Sequence, residues 1–315
     1  MKNRELGKSG LQVSPLCFGG NVFGWTVDKK QSFTLLDAFI DAGFNFIDTA
    51  DTYSWWVPGN KGGESETIIG KWMAERKNRD QIILSTKTGS QNNERPANVS
   101  KEFIISSIEG SLRRLKTDYI DLYQTHFDDE NTPVEETLAA YDQLVKEGKV
   151  RVIGTSNMSP ERIRESLKVS ETEGFPKYQT LQPLYNLMER ESYEKELMGI
   201  VKANNMGVLS YYSLASGFLT GKYRSKDDLN KSQRGGGVKK YLDEKGIRVL
   251  EALDKISEKH DTTQASISLA WLMARPTITS PIVSATSLKQ MESIIKAPQL
   301  KLDREDMDLL NEVSA

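Results

Sequence analysis

Short apolar runs alternate with longer amphipathic stretches along the whole 315-residue chain. The runs lie at residues 16–20, 44–49, 82–87, 119–126, 150–156, 178–184, 207–212 and 278–285. They are rich in β-branched and aromatic residues and often bounded by Gly or Asp, which is how buried strands read. Between them, apolar residues return at helical spacing. Ile104, Ile108, Leu112 and Leu115 share one face, with Ser100 placed to cap the start. Thr132-Pro133-Val134-Glu135 offers a cap, a proline at the first helical position and a glutamate at the third. Val134, Leu138, Tyr141 and Val145 follow on one face, and Gly148 stands past the end. Ser159-Pro160-Glu161 repeats the cap-then-proline device.

Eight strands separated by helices predict a parallel sheet of the α/β class. Near-regular spacing without a composition break predicts one (β/α)8 TIM-barrel domain over residues 1–315. The alternative is an open doubly wound sheet, which announces its nucleotide site with G-x-G-x-x-G after the first strand. Here that strand leads into Gly19-Gly20-Asn21-Val22-Phe23-Gly24, which does not fit. Two segments break the alternation. Residues 4–14, with the turn signal Gly7-Lys8-Ser9-Gly10, predict an N-terminal β-hairpin against the barrel floor. Residues 221–241 are polar and basic, and too long for an ordinary connection. Following the seventh strand, they predict a long loop on the C-terminal face. Its Lys222, Arg224, Lys231 and Arg234 either cover a phosphate or belong to a solvated, mobile loop.

Composition narrows the function. The chain is 37% hydrophobic and 27% charged, as globular proteins are. A formal net charge of −2 supplies no global attraction for nucleic acid or an anionic membrane. The single cysteine, Cys17, sits in an apolar run and reads as core, so disulfides and multi-thiolate metal sites are excluded. No apolar run approaches the ~20 residues of a membrane span. The start, MKNRELGKSG, lacks the apolar stretch of a signal peptide. The cytoplasm is the expected compartment.

Barrel active sites lie at the C-terminal ends of the strands. The second strand ends at Asp48 with Tyr53 just beyond, the third at Lys87 and the fourth at His126. Singly, each has a bland reading as a cap, a surface lysine, a loop residue or a rim aromatic. His260 carries that reading here. Together at one barrel end, the four predict catalysis. Asp48 and Lys87 on neighbouring strands would satisfy one another. A tyrosine with an ordinary pKa of ~10 is a poor acid at neutral pH. A neighbouring ammonium stabilises its phenolate and lowers that value. A tuned tyrosine can then protonate an oxygen becoming an alkoxide, while the histidine orients the carbonyl. No nucleophile with a partnered base is evident, and no His/Asp/Glu cluster has metal spacing. What remains is proton donation to a carbonyl, with the electron pair supplied by a nicotinamide cofactor.

At these residues the chain resembles the aldo-keto reductase superfamily, from about residue 4 to 310, and most closely the bacterial branch related to potassium-channel β subunits. The resemblance rests on Phe46-Ile47-Asp48-Thr49-Ala50-Asp51-Thr52-Tyr53, Ser85-Thr86-Lys87, Asp118-Tyr119-Ile120-Asp121-Leu122-Tyr123-Gln124-Thr125-His126, Ile153-Gly154-Thr155-Ser156-Asn157, Leu181-Gln182-Pro183 and residues 211–223. It implies a TIM barrel binding NADP(H) across its C-terminal face. It implies Tyr53 as general acid, Lys87 and Asp48 as its tuning pair, and His126 as the group orienting the carbonyl. Ser156, Asn157 and Gln182 would hold the carboxamide, and Tyr211 would stack on the nicotinamide. Gln182 lies in an apolar strand, and the carboxamide would supply the partners its buried amide needs. Ser213, Leu214, Gly217 and Lys222 would form the pyrophosphate turn, and Thr286 and Gln290 would serve the adenosine half. The chain departs from the pattern at Ser213, where many relatives have Pro, at Ser284 (often Gly) and at Ile294 (often Asn). Trp25, Trp55 and Trp56 fall on mouth loops and would wall an apolar pocket or pack the loops down. The substrate expected is a small aldehyde or ketone. The alternative is an NADP(H)-binding regulatory or redox-sensing subunit. The short segment before the hairpin, with no long extension to act on a partner, favours the enzyme.

Overall fold

The computed structural model describes residues 2–92 and 96–315. A two-stranded antiparallel hairpin comes first, β1 (Arg4–Glu5) and β2 (Gln12–Val13), with Arg4 opposite Val13. Eight parallel strands follow: β3 (Cys17–Gly19), β4 (Phe46–Asp48), β5 (Ile83–Thr88), β6 (Ile120–Thr125), β7 (Val150–Ser156), β8 (Thr180–Gln182), β9 (Gly207–Val208) and β10 (Ile282–Val283). Their order is β10-β3-β4-β5-β6-β7-β8-β9. Thr279 N–H donates to Val208 O at 2.9 Å and Ile282 N–H to Ser210 O at 2.8 Å, joining the two ends of the sheet. The strands thus close into the expected (β/α)8 barrel. Each lies inside the run that predicted it or within a residue of it, and most are shorter, because the tilt of a closed barrel limits the paired length.

The α-helices are α1 (Lys29–Asp41), α2 (Glu64–Arg76), α3 (Lys101–Leu115), α4 (Val134–Lys146), α5 (Pro160–Glu173), α6 (Met198–Asn204), α7 (Glu244–Lys259), α8 (Gln264–Ala274), α9 (Leu288–Lys296) and α10 (Arg304–Val313). Those with caps read from the sequence follow them, with one correction. In α3 (Lys101–Leu115) the Ser100 side chain accepts from Phe103 N–H. In α5 (Pro160–Glu173) Ser159 accepts from Arg162 N–H, with proline at the first turn. In α4 (Val134–Lys146) Pro133 is itself the cap residue. Thr132 instead donates its hydroxyl to Asp129 at 2.9 Å, a local acceptor that competes with the capping geometry. Helix α8 (Gln264–Ala274) is buried on all sides, so it shows no amphipathic stripe. No helix among the described residues is long and apolar enough to cross a membrane.

Two layers fill the barrel. In parallel register, residues directly opposite share a face, and so do residues two apart on one strand. Cys17, Phe46, Leu122, Val152 and Leu209 form the apolar lower layer, with Leu6 and Val13 of the hairpin packed into it. The hairpin therefore plugs the floor, as its sequence predicted. Arg4 pins it there, donating to Ile278 O and Met273 O, each at 3.0 Å. The Cys17 thiol is fully buried, and burial raises its pKa well above the usual value, so it is inert core. The upper layer is polar: Asp48, Ser85, Lys87, Gln124, Thr180 and Gln182 are all buried. Gly154 makes that layer possible, because a Cβ there would lie 2.0 Å from Thr180 Oγ1 and 3.1 Å from the Gln124 side chain.

Leu6 is fully buried in the floor layer. Leu6→Ala is expected to lower stability by about 2–5 kcal/mol, seen as a lower urea midpoint, while leaving the polar layer intact. An unchanged midpoint would mean that the hairpin does not plug the barrel.

Candidate active site

The upper layer converges on one ammonium group. Lys87 Nζ lies 2.6 Å from Asp48 Oδ2, 2.6 Å from Thr49 O and 3.1 Å from Tyr53 Oη. Its side chain has no solvent exposure, and that of Asp48 is 1% exposed. Three N–H donors thus meet three oxygen acceptors. Asp48 is equally saturated: its Oδ1 accepts from Ser85 Oγ at 2.9 Å, Gln182 Nε2 at 3.2 Å and Gln124 Nε2 at 3.3 Å. An isolated buried charge costs several kcal/mol, so such a pair persists only when it is fully hydrogen-bonded. The strand register does this. Asp48 stands opposite Ser85, and Lys87 stands opposite Gln124.

Burial lowers the Lys87 pKa, but the Asp48 carboxylate and the contact with Tyr53 outweigh it, and the ammonium is held above its ordinary value. Tyr53 departs from expectation. Lys87 pulls its pKa down, as predicted, yet burial pushes up more strongly, and the net direction is upward. The phenol therefore keeps its proton at neutral pH. The His126 ring meets Tyr53 edge-on, with centroids 5.8 Å apart. Burial and the Lys87 charge press the His126 pKa well below 6.5, so the imidazole is neutral, and its buried Nδ1 has no hydrogen-bond partner. The other histidine, His260, bonds Asp306 at 2.7 Å between two surface helices and is structural.

Aromatic rings surround these groups. Trp56 packs edge-on against Trp25 at 5.6 Å and Tyr53 at 6.2 Å, and Trp55 against Trp56 at 6.4 Å. Trp56, Phe127 and Tyr212 are exposed. Left-handed backbone at non-glycine residues also gathers here, at Ser54, Asn157, Tyr212, Ala215 and Ser216. Lys77, Lys116 and Asn205, by contrast, simply end helices. Strained conformations of this kind collect at functional sites.

The family model for the aldo/keto reductase family matches residues 15–315. The chain belongs to the aldo/keto reductase family. It is 35% identical to the uncharacterized oxidoreductase YrpG of Bacillus subtilis, covering 99% of this chain and 96% of that one. It is 32% identical to a probable voltage-gated potassium channel subunit beta of Oryza sativa (94% and 91% covered). It is 30% identical to an L-glyceraldehyde 3-phosphate reductase of Escherichia coli (94% and 87% covered). The family and its named relatives make this chain an oxidoreductase, and nicotinamide cofactors are general in aldo/keto reductases.

The remaining residues named from the sequence follow the strand ends on the same face. Tyr211 follows β9 and bonds Pro183 O through its N–H, and its hydroxyl donates to Asn157 Oδ1 at 2.9 Å. Burial raises its pKa to about 12. Ser156 Oγ donates to Gln182 O at 2.8 Å, and Asn157 Nδ2 to His126 O at 2.9 Å. The donor half of Gln182 is already met by Asp48, so its amide does not depend on a ligand for that bond. Leu214 opens a tight turn, residues 215–220, in which Ser216 and Gly217 are left-handed. Gly217 has φ 94°, and a Cβ there would lie 3.3 Å from Lys222 Nζ. The Ser213 hydroxyl turns inward to Ser210 O at 3.1 Å. Gln290 Oε1 accepts from both Thr286 N–H (2.8 Å) and Thr286 Oγ1 (3.1 Å) at the start of α9 (Leu288–Lys296). The Ser284 hydroxyl has two acceptors within reach, Gly19 O at 2.7 Å and Asn21 Oδ1 at 2.8 Å, and Ile294 is buried in the core, so neither departure leaves an unmet donor.

A dinucleotide fits these residues. The Gly217 cradle is one that a side chain would fill, and the Lys222 ammonium beside it has no carboxylate among the described residues. Of the four loop cations named from the sequence, Arg224 pairs with Asp254 and Lys231 with Asp228, leaving Lys222 and Arg234 for other work. Sequence reasoning missed Thr49 O, Ser85 and Gln124 around the ion pair. Period-2 parity from Lys87 and His126 was the signal for the two side chains, but the register that places them opposite was not legible.

The neutral imidazole has a thermodynamic consequence. His126 has a depressed pKa in the folded chain, whereas the unfolded chain protonates near 6.5. This contribution to stability is present above pH ~6.5 and is lost as pH falls below it toward the folded-state value. In an NMR titration of the two imidazoles, the His126 signal is expected to stay in its neutral position well below pH ~6.5. Titration at or above that pH would refute the electrostatic account.

Proposed function

We propose that this chain is an NADP(H)-dependent reductase of aldehydes and ketones, working as one (β/α)8 domain over residues 1–315. The observation that carries the proposal is the Lys87 ammonium held between the Asp48 carboxylate and the Tyr53 hydroxyl, beside a neutral His126. A bound nicotinamide dinucleotide supplies the hydride.

The chain's own residues do the rest. Tyr53 holds a phenolic proton where a carbonyl oxygen becomes an alkoxide. A raised pKa keeps that proton in place until the oxygen becomes basic enough to take it. Lys87 then stabilises the phenolate at 3.1 Å, and Asp48 keeps the lysine charged and fixed. His126, neutral, can donate one N–H to the carbonyl and orient it. Ser156, Asn157 and Gln182 would hold the carboxamide, with the Tyr211 ring as the wall behind it. Ser213, Leu214, Gly217 and Lys222 would bind the pyrophosphate, and Thr286 and Gln290 the adenosine half. Lys222, without a carboxylate partner among the described residues, supports a phosphate-rich ligand. The rim of Trp25, Trp55, Trp56 and Phe127 suits apolar carbonyl compounds of many kinds. The cytoplasm is the proposed compartment.

The test is NADPH consumption with a panel of aldehydes and ketones, beside Tyr53→Phe. That variant is expected to bind NADPH as the wild type does and to lose about 10²–10⁴-fold in kcat, because only the proton donor is gone. Full kcat in the variant would sink the acid assignment. Lys87→Met is expected to lower the rate and to move the alkaline limb of the pH–rate profile upward, since the phenolate loses its cation. An unchanged rate with an unchanged profile would exclude the tuning role. The resemblance to a channel β subunit favours a second reading, an NADP(H)-binding regulatory subunit. Tight NADPH binding without turnover of any compound would move the assignment there.

A further inference from the structure

Tyr212 stands at a junction, and its backbone is left-handed, with φ 52°. A bulky residue takes that conformation only where its surroundings impose it. Before the junction comes Tyr211, whose ring is the proposed wall behind the nicotinamide. After it comes the segment 213–217, proposed for the pyrophosphate, in which Ala215 and Ser216 are left-handed too. Whatever fixes the Tyr212 peptide therefore fixes how the wall and the turn stand to one another.

Two donors meet the Tyr212 carbonyl oxygen. One is Ala215 N–H at 2.7 Å, from within the turn itself. The other is Asn186 Nδ2 at 3.0 Å, from the segment that follows β8. Asn186 is fully buried. The acceptor half of its amide is taken up locally, where Oδ1 accepts from Met188 N–H at 2.8 Å and Glu189 N–H at 3.1 Å and closes a tight turn. That turn is held in its own right. Glu189 Oε1 accepts from Lys240 Nζ at 2.5 Å and Tyr241 Oη at 3.0 Å. Arg190 Nη1 donates to Asn311 O and Ser314 Oγ, both at 2.8 Å. The same segment grips the neighbouring residue, since Tyr211 N–H bonds Pro183 O at 2.9 Å. A firm support thus presents one amide donor to the one strained peptide between wall and turn.

We propose that Asn186 is a positioning residue for the dinucleotide: it braces the left-handed Tyr212 peptide and so sets the Tyr211 wall and the pyrophosphate turn at the spacing that one cofactor spans. This rests on the NADP(H) reading given above. The consequence is selective. A ligand that reaches both parts needs the brace, and a ligand that meets only the turn does not.

The test measures dissociation constants for NADPH, by its fluorescence, and for adenosine 2′,5′-bisphosphate, which carries the adenosine half without the nicotinamide, by calorimetry. Asn186→Asp keeps the size and both turn acceptors and loses only the donor. It is expected to weaken NADPH by about tenfold or more and the bisphosphate by less than about threefold. The neutral Asn186→Ser keeps a shorter acceptor that cannot reach Tyr212, and the same pattern is expected; it decides the matter if the buried carboxylate prevents folding. Glycine adopts the left-handed backbone without strain, so in a Tyr212→Gly background Asn186→Ser is expected to cost less than about threefold in NADPH affinity. Unchanged NADPH affinity, a parallel loss on both ligands, or an equal cost in the two backgrounds would overturn the brace while leaving the cofactor reading intact. Absence of NADPH binding by the wild type would overturn the cofactor reading and the brace with it.

Discussion

One buried ammonium organises this protein. Lys87 has no contact with water, and each of its three protons needs an acceptor inside the barrel. Asp48, Thr49 O and Tyr53 supply them at 2.6–3.1 Å. Asp48 in turn needs donors, which Ser85, Gln124 and Gln182 provide from three different strands. The charge pair is stable only while all of these strands keep their register, so the barrel and the site constrain one another. Losing either charge would leave the other uncompensated in a dry interior, which is far more costly than losing the pair together.

That constraint explains the division of the interior into layers. The floor is apolar and sealed by Leu6 and Val13, which keeps water from reaching the pair from below. The polar layer above it is crowded, and a side chain in place of Gly154 would collide with Gln124 and Thr180. Above that layer the chain leaves regular structure. Left-handed residues at Ser54, Asn157 and Tyr212 follow directly on Tyr53, Ser156 and Tyr211, and hydrogen bonds such as Tyr211 to Asn157 and Asn157 to His126 O tie the neighbouring strand ends together. The strain is supported by a rigid sheet beneath.

Electrostatics at the site follow from burial opposed by one cation. The same desolvation that raises Tyr53 lowers His126, and the same Lys87 charge opposes the first shift and adds to the second. The outcome is a protonated phenol beside an uncharged imidazole, two neutral donors facing one cation. Farther out, the loop after β9 sorts its cations by partner: Arg224 and Lys231 fold onto Asp254 and Asp228, while Lys222 and Arg234 have no carboxylate partner among the described residues and lie against Tyr223 and Trp25.

Much of this was legible in the chain alone. Periodicity placed all eight strands, because a strand buried on both faces must read as a short continuous apolar run. Barrel geometry then made the strand ends meaningful, and Asp48, Lys87 and His126 stood out there because together they end three adjacent apolar runs at one barrel end. The hairpin at residues 4–14 was readable from its glycine turn and its flanking leucines. Register was not readable, since it depends on pairing between strands tens of residues apart. For that reason Ser85, Gln124 and Thr49 O entered the site only with the fold. The cap at Thr132 was lost to a nearby Asp129, a competition between two local hydrogen bonds that composition cannot rank. The direction of the Tyr53 shift was likewise decided by tertiary structure, because charge is written in the sequence but desolvation is a property of the packed volume. So was the choice between Arg224 and Arg234: two arginines of one loop, alike in sequence, of which one found a carboxylate and the other found none among the described residues.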